Sequence, residues 1–140
     1  MSAITGSIAI VILTALGALH VYWALGGRAG KSATVPTQDA KPLFTPGPLA
    51  TIAVALGLFG MAAILAIRIG WIAQSAIPTY VISAAAWCIV TVFALRAIGD
   101  FRFVGFFKRT RDTRFARLDT ILYSPLCAAL ALLTFATQTL

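Results

Sequence analysis

Four long apolar stretches dominate this sequence and leave little choice of fold. They run from about Ile4 to Leu25, from Leu49 to Ile67, from Thr79 to Ala97 and from Leu118 to Gln138. The hydrocarbon core of a bilayer is about 30 Å thick, so a helix needs roughly 20 apolar residues to cross it. Each stretch is about this long. The sequence therefore predicts four transmembrane helices in a single domain of 140 residues.

The composition excludes the common soluble classes of protein. Hydrophobic residues make up 60% of the chain and charged residues 11%, whereas globular domains average about 45–50% and about 25%. A disordered chain, a disulfide scaffold and a soluble nucleic-acid-binding protein are excluded. The stretches also lack the period-2 alternation of a transmembrane β-barrel. We predict an all-α integral membrane protein, a four-helix bundle whose first helix is retained rather than cleaved as a signal.

Basic residues are concentrated at one end of the predicted bundle. With four helices, the first and third connections lie at the same end. These two connections carry nine basic residues: Arg28, Lys31, Lys41, Arg102, Lys108, Arg109, Arg111, Arg114 and Arg117. The opposite end has Arg68 alone. Because short cytoplasmic loops are rich in Lys and Arg, we predict that both connections are cytoplasmic and both termini outside.

The segment from residue 101 to residue 117 interleaves aromatic rings with cations. We expect the rings to enter the headgroup boundary while the cations bind anionic lipid headgroups, each basic group contributing about 1 kcal/mol. A second interpretation is a pocket for a phosphate or carboxylate, formed by Arg102, Lys108 and Arg109. Such a pattern is also typical of nucleic-acid-binding proteins. Proximity to the membrane already explains it, and no nucleic acid is expected as a partner.

Several polar side chains fall within or beside the predicted helices, where an ionisable group is costly to bury and often marks function. His20 and Tyr123 lie at nearly the same depth, roughly 7–8 Å from the cytoplasmic ends of their helices at 1.5 Å per residue. Arg96 and Asp119 lie next to the boundary on the third and fourth helices. We predict an ion pair between them, with Asp100 as the competing partner of Arg96.

These depths predict a site for a small amphipathic or anionic molecule in the cytoplasmic half of the bundle. His20, aided by Tyr123, is the candidate for proton transfer, because an unperturbed histidine has a pKa of about 6.5. The cations hold the anionic group and the carboxylates orient the cations. The expected ligand-binding residues are Trp23, Arg96, Asp100, Arg102, Lys108 and Asp119.

Structural roles are the alternative for the same residues. His20 is then a hydrogen-bonded packing residue or a metal ligand. The ion pair of Arg96 and Asp119 then serves only to join two helices. Trp23 and Tyr123 would belong to the interfacial aromatic belt. No metal-ligand motif occurs, and we expect neither a metal nor another cofactor.

Two further function classes stay open. An oligomeric small-solute or ion transporter needs several copies, because one four-helix bundle is too slim for a wide aqueous path. A non-catalytic partner subunit would dock through the basic loop. The sequence does not decide whether the protein is an enzyme.

Small residues and a proline predict local features of the bundle. Cys88 and Cys127 fall at similar depths, with packing as the default role and a redox couple as the alternative. Gly57, Gly60 and the run from Ser83 to Ala86 are expected to allow close helix packing. Pro125 lies inside the fourth helix, where its missing N–H should distort the helix and free a carbonyl near Ile121.

Three segments carry a resemblance to a known family: residues 20–27 (HVYWALGG), residues 95–108 (LRAIGDFRFVGFFK), and Asp119 with residues 123–126 (YSPL). They resemble the small bacterial membrane proteins catalogued as domain of unknown function 3995. The resemblance covers nearly the whole chain. It implies a compact four-span protein of the bacterial cytoplasmic (inner) membrane, and it brings no catalytic or binding residue with it.

The charge distribution generates a prediction about topology. A tag fused after Leu140 should be labelled from the periplasmic side of intact cells, because both termini are predicted to lie outside. A single cysteine introduced at Lys41, in a variant with Cys88 and Cys127 replaced by serine, should react only after the cells are permeabilised. Shielding of the C-terminal tag in intact cells would reverse the orientation.

Overall fold

Four helical segments long and apolar enough to cross a membrane make up most of the protein, a computed structural model of which describes residues 2–38, 41–73 and 77–139. The first three are α1 (Ser2–Ala24), α2 (Pro48–Arg68) and α3 (Thr79–Ile98). The fourth span is continuous but not uniform: it comprises α4 (Arg114–Leu118), a π turn (Asp119–Tyr123) and α5 (Ser124–Thr139). The predicted four-helix architecture is therefore present.

The helix boundaries differ from the sequence prediction mainly at the fourth span. It begins at Arg114 rather than near Leu118, because Thr113 caps its first turn and accepts a hydrogen bond from the Ala116 N–H (3.1 Å). Side-chain caps of this kind satisfy backbone N–H groups that have no partner within the helix. Arg114 and Arg117, predicted as loop residues, are consequently helical.

The core of the bundle is apolar and receives side chains from all four spans. Leu13, Leu65, Ala86 and Leu130 come one from each span and are fully buried. Helix α1 packs against α2 and α5, and α3 packs against α5 and, over a smaller contact, against α2. The interior between the two ends of the bundle is thus filled mostly by Leu, Ile and Ala.

Close helix packing uses other glycines than those predicted. A Cβ atom on Gly17 would lie 2.8 Å from the Phe59 ring, so this glycine lets α1 approach α2. Gly6 plays the same part beside Ile69. A Cβ atom on Gly57 or Gly60 would meet no atom within 4 Å. The expectation that these two bring helices together is wrong for the described residues, because they lie on the outer surface of α2.

The proline in the fourth span coincides with a change of helix type. Pro125 follows a π turn in which the Ser124 N–H bonds to the Asp119 carbonyl. A π turn adds one residue to a helical turn and often occurs at functional sites. The distortion expected from Pro125 therefore lies in the segment that holds Asp119 and Tyr123.

Both connections at one end of the bundle, which we term the loop end, contain local structure among the described residues. The α1–α2 connection (residues 25–47) contains a 3₁₀ turn (Lys31–Ala33) and a two-stranded antiparallel ladder of β1 (Thr37–Gln38) and β2 (Lys41–Pro42), with Thr37 opposite Pro42. Asp39 and Ala40 lie outside the described residues. The assignment of the loop end to the cytoplasm stays a prediction from the charge distribution.

The α3–α4 loop (residues 99–113) folds back onto the end of α3. The Phe106 N–H donates to the Ala97 carbonyl (2.8 Å), and Gly99 and Gly105 have φ of 94° and 89°. A Cβ atom at Gly105 would collide with the Ile98 carbonyl oxygen and with Gly99. Glycine at 99 and 105 is what allows this close return of the backbone.

Because the backbone returns so closely at Gly105, we predict that Gly105→Ala lowers the free energy of unfolding by about 1–3 kcal/mol or more. The loss comes from backbone strain and steric overlap of the added methyl group. Gly57→Ala is the matched control, since its added methyl group enters open space on a regular helix. Thermal unfolding of the purified protein in detergent measures both. Equal midpoints for the two variants would contradict this account of the loop.

Candidate functional site

The centre of the loop end is the buried carboxylate of Asp119, which has no exposed surface. Its Oδ1 accepts a hydrogen bond from Arg96 Nη2 (2.9 Å). Its Oδ2 accepts from the Gly105 N–H (2.8 Å), Lys108 Nζ (2.9 Å) and Ser124 Oγ (3.1 Å). The predicted Arg96–Asp119 ion pair is present, and it belongs to a larger network that the depth argument did not anticipate.

Lys108 uses its ammonium group entirely for hydrogen bonds within the protein. Its side chain is 1% exposed, and Nζ donates to Asp119 Oδ2, to the Gly105 carbonyl (3.0 Å) and to Thr120 Oγ1 (2.6 Å). A lysine ammonium group has three N–H donors, so all three are used within the protein. Lys108 contributes positive charge at the loop end and has no donor left for a direct contact with a ligand.

Asp100 shapes the α3–α4 loop rather than binding Arg96. Its Oδ1 accepts hydrogen bonds from the backbone N–H groups of Arg102 (2.9 Å), Phe103 (2.7 Å) and Val104 (2.9 Å). Partial burial acts to raise the pKa of Asp100, but the three backbone N–H groups outweigh burial and hold the pKa below that of an ordinary carboxyl group. The charged form of Asp100 is therefore the one that organises the loop.

Arg96 retains unused hydrogen-bonding capacity. Its side chain is 34% exposed, and its Nη1 atom is buried without a hydrogen-bond partner among the described residues. An unpaired buried donor costs free energy of about 1–3 kcal/mol. Arg96 thus has one nitrogen on Asp119 and a second, buried nitrogen that no acceptor among the described residues satisfies.

His20 and Trp23 lie on α1 in contact with each other, with ring centroids 5.0 Å apart and an edge-on geometry. His20 is seven residues after Leu13, which is fully buried, so it lies on the face of α1 that points into the bundle. Its Nδ1 lies 2.8 Å from the Leu16 carbonyl oxygen, and the tautomer that makes this hydrogen bond has the proton on Nδ1, because a carbonyl only accepts. In the neutral ring, Nε2 is then an acceptor, and it has no partner within the described residues.

Trp23 and Tyr123 both hold the α1–α2 connection. Trp23 Nε1 donates to the Ala29 carbonyl (2.7 Å), and the Tyr123 hydroxyl donates to the Ala33 carbonyl (3.2 Å). None of the hydrogen bonds in the described part of the chain joins Tyr123 to His20. The structure brings both residues to the loop end, but it uses Tyr123 to support the connection.

An open cavity of about 560 Å³ lies along the supported connection. Its lining combines two cations, three hydroxyl groups and an apolar surface: Arg28, Lys31, Ser32, Val35, Thr37, Pro42, Phe44, Thr45 and Pro46. In the sequence, Arg28 and Lys31 indicate only the orientation of the bundle, and no site is predicted here. A pair of cations followed by a short proline-rich segment with a phenylalanine was the available signal.

Arg102 and Arg109 lie elsewhere, at an exposed cleft of the α3–α4 loop that also includes Asp100, Phe101 and Thr110. The predicted site residues therefore separate into three groups. Arg96, Lys108 and Asp119 form the buried network, His20 with Trp23 and Tyr123 lies beside the α1–α2 connection, and Asp100 with Arg102 lies on the surface loop.

The described residues contain no group of three or more His, Cys, Asp or Glu side chains that could hold a metal ion. Cys88 is exposed on the outside of α3 and Cys127 is half-buried, and both are free thiols.

The buried network predicts that Asp119→Asn lowers the free energy of unfolding by about 3–5 kcal/mol, because it leaves the Lys108 ammonium group buried without its counter-charge. The double variant Asp119→Asn, Lys108→Met should recover part of this loss. The exposed Asp112→Asn serves as the control, with a change within about 0.5 kcal/mol. Thermal unfolding in detergent measures all three, and a double variant as unstable as the single one would contradict the charge argument.

Comparison with known protein families gives one match for this chain. The family described as "Protein of unknown function (DUF3995)" matches residues 13–134, a segment that contains every candidate site residue discussed above. Neither the curated proteins nor the solved structures give a match. Since the matched segment covers most of its length, the chain belongs to this family of proteins of unknown function.

Proposed function

We propose that the protein binds a small amphipathic anion at its loop end, in the cavity along the α1–α2 connection. The observation that supports this proposal is the lining itself: Arg28 and Lys31 lie beside the apolar Val35 and Phe44. The volume of about 560 Å³ falls within the range of roughly 300–1,000 Å³ typical of small-molecule sites. The described lining residues carry two positive charges and no negative charge, which favours a carboxylate or phosphate head with an apolar tail.

The proposal keeps the ligand class expected from the sequence but changes which residues contact the anion. Lys108 has its donors occupied, and Arg96 is bound to Asp119. These side chains support the loop end and add positive potential, while Arg28 and Lys31 remain available for direct contact. Tyr123 and Trp23 support the cavity by holding the carbonyls of the connection.

His20 has the remaining chemical role. Its Nδ1 bonds to the Leu16 carbonyl, so in that neutral tautomer Nε2 is able to accept a hydrogen bond. A ligand whose polar group enters the bundle beside Trp23 would meet this acceptor. The proposal is one of binding, with His20 as a candidate hydrogen-bond acceptor outside the lining of the cavity, at a site on the cytoplasmic side of a bacterial inner membrane.

The apolar interior favours binding over conduction. Polar side chains at the opposite end form a separate group, in which Arg68 Nε donates to Gln138 Oε1 (3.3 Å). Between this group and the loop end lie fully buried residues such as Leu13 and Leu65. A single bundle of this kind offers no continuous polar path among its described residues.

Octanoate and octanol, which share a tail and differ in charge, provide a direct test. Octanoate should stabilise the protein in lipid nanodiscs by about 2.7 kcal/mol at 100 times its Kd, relative to the protein without ligand, and octanol by less. Arg28→Gln, Lys31→Gln should abolish the difference between the two compounds, and Tyr123→Phe should reduce it. Thermal unfolding at matched membrane concentrations gives the readout.

Lys41→Gln is the control, because Lys41 is basic and exposed on the same connection but does not line the cavity. It should retain the preference for octanoate. Equal stabilisation by octanoate and octanol would overturn the proposal, as would an unchanged preference in the Arg28→Gln, Lys31→Gln variant. An unchanged preference in His20→Ala would remove His20 from the site.

A further inference from the structure

The α3–α4 loop presents aromatic rings to its surroundings although it is firmly folded. Phe101, Phe106 and Phe107 are 58%, 41% and 63% exposed. The rings of Phe101 and Phe107 lie side by side, with centroids 6.4 Å apart. An exposed apolar patch next to membrane-spanning helices indicates contact with the membrane boundary.

The backbone of Phe101 is strained, and burial of its ring inside the protein does not offset this strain. Its φ of 61° lies in the left-handed region, which is strained for a residue with a Cβ atom. The carboxylate of Asp100 maintains this conformation by accepting the N–H groups of the three residues that follow Phe101. The result of this arrangement is a ring directed to the surface, and such local strain is often found at functional sites.

Two guanidinium groups lie beside these rings. The Thr110 N–H donates to the Arg102 carbonyl (3.0 Å), so the segments that carry Arg102 and Arg109 are held together. The Arg102 guanidinium lies 4.9 Å from the centroid of the Phe103 ring, which orients it. Both arginines line the same cleft as Asp100. Two positive charges against one carboxylate, which is already bonded to the backbone, leave the cleft cationic.

We propose that this face of the loop is a preformed binding site for an anionic phospholipid. Arg102 and Arg109 bind the headgroup phosphate, since guanidinium groups match the geometry of phosphate oxygens. Phe101 and Phe107 enter the boundary with the acyl chains. The positive charge of the cleft favours an anionic headgroup. The loop follows directly on α3, so the cleft lies next to the lipid that surrounds this helix. This site is separate from the cavity of the α1–α2 connection.

The rigidity of the loop distinguishes this site from a flexible basic tail. Gly105 and Lys108 connect the loop to the buried carboxylate of Asp119, and Asp100 closes its first turn. The backbone that carries Arg102 and Arg109 is therefore positioned before a lipid arrives, which lowers the entropic cost of binding. The site should prefer anionic lipid over zwitterionic lipid by more than a general surface potential provides.

Hydrogen exchange in nanodiscs tests the proposal. In the wild-type protein, peptides covering residues 99–110 should exchange several-fold more slowly in discs that contain phosphatidylglycerol than in discs of phosphatidylcholine alone. Arg102→Gln, Arg109→Gln should remove this difference. Lys41→Gln and Arg28→Gln, Lys31→Gln should retain it, which separates this site from the cavity. Unfolding midpoints close to that of the wild type verify that each variant is folded.

Three outcomes would overturn the proposal. One is equal exchange of the wild-type loop in the two kinds of disc, a comparison that needs no variant. The second is equal protection by inorganic phosphate in phosphatidylcholine discs, which would assign the cleft to a soluble anion. The third is full lipid-dependent protection in Arg102→Gln, Arg109→Gln, which would mean that general electrostatic attraction is sufficient.

Discussion

The carboxylate of Asp119 has no contact with solvent, and donors from three parts of the chain converge on it. Arg96 comes from the end of α3, Gly105 and Lys108 from the α3–α4 loop, and Ser124 from the start of α5. A buried carboxylate is tolerated only when its charge is compensated and its lone pairs are used. The position of the loop and the link between the loop end of α3 and the start of the fourth span depend on this one group.

Burial of this network divides the loop end into a structural part and an accessible part. Arg96 and Lys108 pair with Asp119 and hold the α3–α4 loop in place, whereas Arg28 and Lys31 line the cavity beside the α1–α2 connection. The same division explains why the lysine within the family-like segment 95–108 is inaccessible while neighbouring arginines are exposed. Positive charge at this end therefore has two uses, one inside the protein and the other at its surface.

Particular residues show how far the sequence could lead. The pairing of Arg96 with Asp119 followed from counting residues along two helices, because helix rise fixes depth. The role of Asp100 did not follow, since three backbone N–H groups can reach one carboxylate only after the loop has closed. Gly57 and Gly60 carry a small-residue spacing but lie on the surface, and Gly17 makes the close approach. Spacing along a helix does not reveal which face meets a neighbour.

The sequence by itself determined the class of the protein, its four spans and the end at which its cations gather, because these depend on hydrophobic length and on charge counted along the chain. The tertiary structure decided which charged side chains are paired inside the protein and which face outward. That distinction depends on distances between Asp119, the α3–α4 loop and the α1–α2 connection. Such distances arise only when helices separated in the chain pack together, since a hydrogen bond at 2.9 Å requires both partners to be fixed in space.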